Sequence, residues 1–226
     1  MALGGMRAFY TGLAALALVG AGAIYLARGS GGGATTVPSL REMAGDTAAL
    51  PGYVMGSDSA PVEVEEYADF ECPACRGFAI VTMPDVAERL VKTGQVRWRF
   101  RDFPLYQIHR KSPIAHEAAA CAGEQGRFWE MHDQLYYNRD QWVETRNSAK
   151  KIREYAQKVG ADLSRYDDCM KSHRYQARIA ASARQGVERG VNSTPTFVIG
   201  NLMIPGALPY DSLKALINGA TRNQKP

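Results

Sequence analysis

The sequence predicts an α/β fold with an inserted helical subdomain, preceded by an N-terminal transmembrane helix. Three observations carry this expectation: an uncharged apolar run near the N-terminus, a strand-helix-strand pattern between residues 62 and 100, and a return of β signal after residue 195 across a long helical stretch. The composition fits a folded domain. Of 226 residues, 46% are hydrophobic and 22% charged, enough for one domain with a substantial core and too apolar for a disordered or fibrous chain. The formal charge of +4 is spread among 23 acidic residues rather than gathered in a block, so no nucleic-acid partner is expected. One local exception, Arg97-Trp98-Arg99-Phe100-Arg101, alternates cations and aromatics as a single-strand-binding surface would. Its period of two reads better as an amphipathic strand with Trp98 and Phe100 inward and the arginines outward.

Taken in order, residues 1–28 read as a membrane anchor. No charged residue lies between Arg7 and Arg28, and Ala8 to Ala27 as a helix would span about 30 Å, the hydrocarbon thickness of a bilayer. A cleavable secretory signal is the alternative, because Ala21-Gly22-Ala23 resembles a cleavage site. The apolar run continues past it through Ile24, Tyr25 and Leu26, which favours an uncleaved anchor. Either reading exports the remainder. Residues 29–56 form a linker and lead-in opening with Gly29-Ser30-Gly31-Gly32-Gly33, which has no side chains able to build a core.

The folded domain is expected over 57–220, with 221–226 as a tail. Val62 to Tyr67 alternates as a strand, with Val62, Val64 and Glu66 on one face and Glu63 and Glu65 solvated on the other. A helix then starts at Cys72-Pro73-Ala74-Cys75, with proline where a first helical turn tolerates it. A second helix from about Pro84 to Thr93 leads across Gly94 into the strand Val96 to Phe100. The stretch from about 113 to 190 reads as a helical insertion, with helices over Pro113–Ala122, Phe128–Tyr137, Lys150–Val159, Leu163–Lys171 and Tyr175–Arg189. Within it, Phe128 and Trp129 are expected in the core and His132 partly exposed. Thr196 to Ile199 and Leu202 to Ile204 flank Gly200-Asn201, a hairpin signal, and a helix from about Tyr210 to Ile217 closes the domain.

Four cysteines follow the anchor: the C-x-x-C pair Cys72 and Cys75, then Cys121 and Cys169. A zinc ribbon would need a second similarly spaced pair, and the four histidines restore no familiar ligand spacing, so no metal is expected. Redox chemistry has a physical basis at the first cysteine. Unpaired N–H groups and the positive end of the helix dipole stabilise a thiolate there, making Cys72 the expected nucleophile. Two intervening residues let Cys75 close a disulfide on the same turn or resolve a mixed disulfide. No dissociable cofactor is required.

Residues 60–220 resemble the DsbA-like thiol:disulfide oxidoreductases, a branch of the thioredoxin superfamily in which a helical domain interrupts a thioredoxin-like fold. The matching motifs are Asp69-Phe70-Glu71-Cys72-Pro73-Ala74-Cys75, the stretch from Cys121 to Asp133 containing Gly123-Glu124-Gln125-Gly126-Arg127-Phe128-Trp129, and Gly190-Val191-Asn192-Ser193-Thr194-Pro195-Thr196-Phe197. The resemblance implies that Pro195 is a cis-proline facing the cysteine pair, with Thr194 presenting backbone to a substrate strand. It implies that Glu66, six residues before Cys72, handles the proton of the second thiol, against the alternative of a strand-end glutamate reaching solvent. It also implies a structural disulfide between Cys121 and Cys169, against two buried thiols.

The function so implied is disulfide exchange with exported cysteine-containing proteins, in the oxidising direction, with a quinone-linked membrane partner restoring the disulfide and the catalytic domain outside the cytoplasm (periplasmic). An isomerase or reductase is the rival of the same fold. A membrane-tethered chaperone or peptide-binding module with vestigial cysteines is the rival outside it.

Overall fold

The computed structural model describes residues 52–223. The expected anchor (1–28), most of the linker and the last three residues of the expected tail (224–226) lie outside the described residues. Among the described residues no helix is long and apolar enough to cross a membrane.

Five strands form one sheet in the order β1-β3-β2-β4-β5. The central pair, β2 (Val62–Ala68) and β3 (Val96–Asp102), is parallel, with Glu66 opposite Phe100. Their crossover contains α1 (Pro73–Val81) and then, where a second regular helix from about Pro84 to Thr93 is expected, the four-residue α2 (Met83–Val86) and a π-helical turn over Ala87–Val91. β4 (Thr196–Ile199) pairs antiparallel with β2 and carries the hairpin partner β5 (Leu202–Pro205). One strand falls inside the stretch read as lead-in. β1 (Tyr53–Met55) pairs antiparallel with β3, placing Tyr53 opposite Phe100. Three residues between glycines are too short to show a period.

Between β3 and β4 lie six helices: α3 (Ser112–Gly123), α4 (Phe128–Tyr137), α5 (Arg139–Glu144), α6 (Ser148–Lys158), α7 (Leu163–Ser172) and α8 (Gln176–Glu188). α5 was not expected, because six residues cannot display a helical stripe. α9 (Tyr210–Asn223) runs beyond the predicted Ile217.

Alternation along the strands divides the core. On one face Val62, Val64, Trp98, Phe197 and Ile199 pack with Phe78 of α1, Val86 and Leu90 of the crossover and Leu213 and Ile217 of α9. On the other, Tyr67, Phe103, Ala183, Val191 and Val198 form a smaller cluster beneath α8. Gly186 lets α8 seat there, since an added Cβ would stand 2.7 Å from the Phe103 ring. The largest cluster joins the sheet to the insertion. It holds Phe70, Cys72, Cys75 and Phe100 against Ala115, Ala118, Ala119 and Cys121 of α3 and Met131 and Tyr136 of α4.

Glu63 and Glu65 are not simply solvated. Glu63 pairs bidentately with Arg99 at 2.8 Å and with Arg97 at 3.1 Å, and Glu65 pairs with Arg101 and Arg189 at 2.7 Å each. The cations of the Arg97–Arg101 strand are thus engaged by carboxylates of the neighbouring strand, as cross-strand pairing of opposite charges favours.

Candidate active site

β2 ends at Ala68, and Asp69-Phe70-Glu71 turns the chain into α1. Cys72 is the N-cap, with extended backbone angles of φ −70° and ψ 124°, and Pro73 occupies the first turn, where its missing N–H costs nothing. Both cysteines are free thiols in very different surroundings. Cys75 is 0% exposed and Cys72 6%.

The Cys72 thiol is lowered to about 5, chiefly by a hydrogen bond from the Cys75 thiol, against the opposing effect of burial, with help from Thr194 and the N–H groups of Cys75 and Ala74. Cys75 is pushed well above the ordinary thiol range by burial, by the negative sulfur of Cys72 and by Glu66, while the Asp69 backbone partly offsets this. One residue position thus favours a thiolate and the other, three residues on, a thiol.

Across from the pair, the Thr194-Pro195 peptide bond is cis. The Cys72 Sγ lies 3.3 Å from the Thr194 carbonyl oxygen, which accepts from the thiol form. A carbonyl cannot stabilise a thiolate. The group on Thr194 able to do so is its hydroxyl, which is buried and has no hydrogen-bond partner among the described residues. The loop is fixed at its other side by the Gly206 N–H, which donates to the Pro195 carbonyl at 2.7 Å.

Glu66 lies on the inward face of β2 at 1% exposure. Trp98 Nε1 donates to its Oε2 at 3.0 Å, and its Oε1 has no hydrogen-bond partner among the described residues. Burial raises its carboxyl from 4.5 to about 7, the Trp98 hydrogen bond only partly opposing this. Cys121 of α3 and Cys169 of α7 are joined by a disulfide with Cα atoms 5.7 Å apart.

Several buried polar residues near the turn escaped the sequence reading. Asp69 and His109 meet at 2.8 Å, and His116 Nδ1 lies 2.6 Å from Asp102. Glu71 accepts from the Lys111 N–H at 2.7 Å, and Arg139 donates to the Glu71 carbonyl at 2.5 Å. The Tyr136 hydroxyl is buried without a hydrogen-bond partner among the described residues, and burial pushes it well above the usual phenol range, with Cys75 and Glu66 adding to the effect. A signal existed for Asp69 and Glu71, which belong to the quoted cysteine motif; His109 and His116 carried none. His132, expected to be partly exposed, is buried against Phe70, Phe100, Trp129 and Tyr136, because α4 packs edge-on into the aromatic cluster under the redox turn. Among the described residues no cluster of histidine, cysteine or carboxylate side chains could hold a metal ion.

A dithiol capping a helix after a central parallel strand, opposite a cis-proline entering the next strand, defines a thioredoxin-fold redox protein. Residues 49–219 match the family described as thioredoxin, well over half of the chain, so the protein belongs to that family. A "Probable disulfide bond formation protein D" of Bacillus anthracis is 27% identical over 169 residues, covering 73% of this chain and 76% of its own. The DsbA1 protein of Wolbachia pipientis superposes with a TM-score of 0.68 at 18% identity, covering 75% of this chain and 90% of that one, a likeness of fold. An antiporter of Salinispora tropica named Na(+)/H(+) antiporter NhaA 3 is 38% identical over 168 residues, 74% of this chain. The chain spans about a quarter of the length of that relative (24%). Thioredoxin-like enzymes work through a redox-active cysteine pair and no dissociable cofactor.

Proposed function

We propose that the protein is a membrane-anchored thiol:disulfide oxidoreductase that oxidises exported cysteine-containing proteins through Cys72 and Cys75. The observation that carries the reading is the opposed state of the two thiols, one held near 5 and the other pushed far above the ordinary range. In the oxidised enzyme a substrate thiolate attacks Cys72 Sγ; the Cys72–Cys75 bond breaks, and the Cys75 sulfur leaves with the electron pair and takes a proton. A second substrate thiolate then attacks the substrate sulfur of the mixed disulfide and releases Cys72 as a thiolate. Two electrons pass to the enzyme and one disulfide forms in the substrate. A leaving group near 5 favours the second step. Stabilising the reduced enzyme also makes its disulfide the more oxidising, which supports oxidation over isomerisation or reduction.

Glu66, titrating near neutrality beneath Cys75, is suited to supply and remove that proton. The cis Thr194-Pro195 segment, against Cys72 Sγ, is suited to align an extended substrate backbone with the nucleophile. Reoxidation is assigned to a quinone-linked membrane partner, and residues 8–27 to the anchor that keeps the domain outside the cytoplasm.

The test is a thiol-specific titration with trapping. Iodoacetamide should consume Cys72 with a midpoint near pH 5 while Cys75 stays unreactive. Cys72→Ser should abolish insulin reduction and oxidative refolding of a reduced substrate, whereas Cys75→Ala should accumulate reducible high-mass adducts. Adducts with Cys72→Ser but not with Cys75→Ala would reverse the roles. Unchanged activity in both variants would leave the binding-module rival. The anchor should keep the full-length chain in the membrane fraction through carbonate washing; a soluble form beginning near Gly22 to Ile24 would show that a signal is cleaved.

A further inference from the structure

One residue gathers the turn that joins β2 to the redox helix. Asp69 is 0% exposed, and its backbone and carboxylate face separate parts of the site. Its carbonyl accepts from the Cys72 N–H at 3.1 Å, and its backbone partly offsets the effect of burial on Cys75. Oδ1 accepts from the Glu71 N–H at 2.8 Å; Oδ2 accepts from the Leu105 N–H and meets His109 Nδ1, each at 2.8 Å. His116 Nε2 lies 3.9 Å from Oδ1, and its other nitrogen is bound to Asp102. The carboxylate therefore ties the turn carrying the cysteines to the loop that follows β3. A buried carboxylate is tolerated when donors surround it, and the same donors leave it little freedom to move.

We propose that Asp69 is a positioning residue for the cysteine pair: clamped by Leu105 and His109, its carboxylate sets the turn that aims the first amides of α1 at Cys72 and places the Asp69 backbone against Cys75. The proposal rests on the disulfide-exchange reading of that site and adds a residue acting through geometry. The alternative is that Asp69 acts on the thiols as a charge, and the two predict opposite signs. Loosening the turn misaligns the amides that stabilise the Cys72 thiolate, so Cys72 holds its proton more tightly. Removing a nearby negative charge alone would let the proton go more easily.

The experiment is the pH profile of Cys72 alkylation by iodoacetamide in the reduced full-length protein, read by mass spectrometry, for Asp69→Asn and His109→Ala, with far-UV circular dichroism to verify folding. In Asp69→Asn an amide nitrogen faces either the Glu71 or the Leu105 N–H, so at least one of those bonds is lost. In His109→Ala both backbone bonds remain and the imidazole contact goes. Asp69→Asn should move the profile to higher pH by about half a unit or more, a roughly threefold fall in rate on the acid side, and His109→Ala should move it the same way by less. An unchanged or lowered profile in folded Asp69→Asn would overturn the proposal. If that variant does not fold, an unchanged or lowered profile in His109→Ala would overturn it. Alkylation reads the thiol and not turnover, so a failure here is distinct from the wild-type protein failing to exchange disulfides with insulin.

Discussion

Replacing Glu66 by Gln removes a buried proton-binding group while keeping its shape, and the pH dependence of stability should change with it. In the folded protein the carboxyl is raised from its ordinary 4.5 to about 7 by burial, with the Trp98 hydrogen bond opposing. The raised value means that the folded state binds the proton more tightly than the unfolded chain does. The stabilisation is therefore fully present below about pH 4.5 and is lost as pH rises through about 7. At about 1.4 kcal/mol per pH unit, the loss between pH 4 and 8 comes to about 3 kcal/mol. Glu66→Gln carries no such loss. Its amide leaves N–H groups where Oε1 already lacks a partner, a cost of about 1–3 kcal/mol that does not vary with pH. The quantity to measure is thus the change in the mutant-minus-wild-type difference, which should rise by about 3 kcal/mol in favour of the mutant between pH 4 and 8. Both causes of the shift are independent of the cysteines, so equilibrium urea unfolding of the oxidised proteins serves as the assay. Stability curves that run parallel across this range would show that Glu66 does not titrate near neutrality, and its role as proton carrier would fall with it.

The reduction potential offers a second test. A Cys72 thiol depressed from about 9 to about 5 stabilises the reduced protein fully above pH 9, and that stabilisation is lost as pH falls through 5, so the potential should change by about 30 mV per pH unit between those limits and about twice as steeply below them; the steeper slope persisting through pH 7 would refute the thiolate. Replacing both Cys121 and Cys169 by Ser opens a loop spanning 48 residues and should lower unfolding free energy by roughly 4 kcal/mol in the chain-entropy model, with insulin reduction retained. Unchanged stability there would show that the bridge is dispensable. Trp98→Phe removes the N–H that favours the Glu66 carboxylate, so the Glu66 titration, followed by carboxyl infrared absorption in wild type and variant, should move above 7; a downward move would mean that the hydrogen bond is misassigned.

The central strands were legible because alternation and a helix-start proline are local signals: Val62, Val64 and Glu66 do face inward, and the strand Arg97 to Arg101 does bury Trp98 and Phe100. The hairpin at Gly200-Asn201 and the closing helix followed from turn chemistry and apolar spacing of the same short range. What failed was either too short to show a period, as with β1 and α5, or depended on which neighbour an element meets. Glu63 and Glu65 sit on the face that alternation assigned to solvent, yet arginines from β3 and from beyond α8 reach across to them. No window of one strand contains that information.

The same division runs through the site. The cysteine positions were readable, whereas the state of Cys75 depends on cover supplied from the insertion. α3 is rich in alanine, a pattern that read only as helix; its small side chains let the helix approach Phe70, Phe100 and the cysteine pair. His116 lies within this alanine-rich face, and its placement beside Asp102 follows from packing that sequence spacing does not encode. α4 then brings Tyr136 against Phe70 with ring centroids 5.0 Å apart, and leaves its hydroxyl buried in the environment that raises Cys75. The Ala74 and Cys75 N–H groups that help lower Cys72 are local to α1, but the largest contribution is the hydrogen bond from Cys75, which requires that Cys75 stay a thiol. The reluctance of Cys75 to ionise comes from burial, and the insertion is what buries it. The helical domain therefore does more than decorate the sheet: by burying Cys75 it keeps that sulfur a thiol able to donate to Cys72, so variants that loosen α3 or α4 should lower Cys75 and raise Cys72 together, read by alkylation of each cysteine against pH.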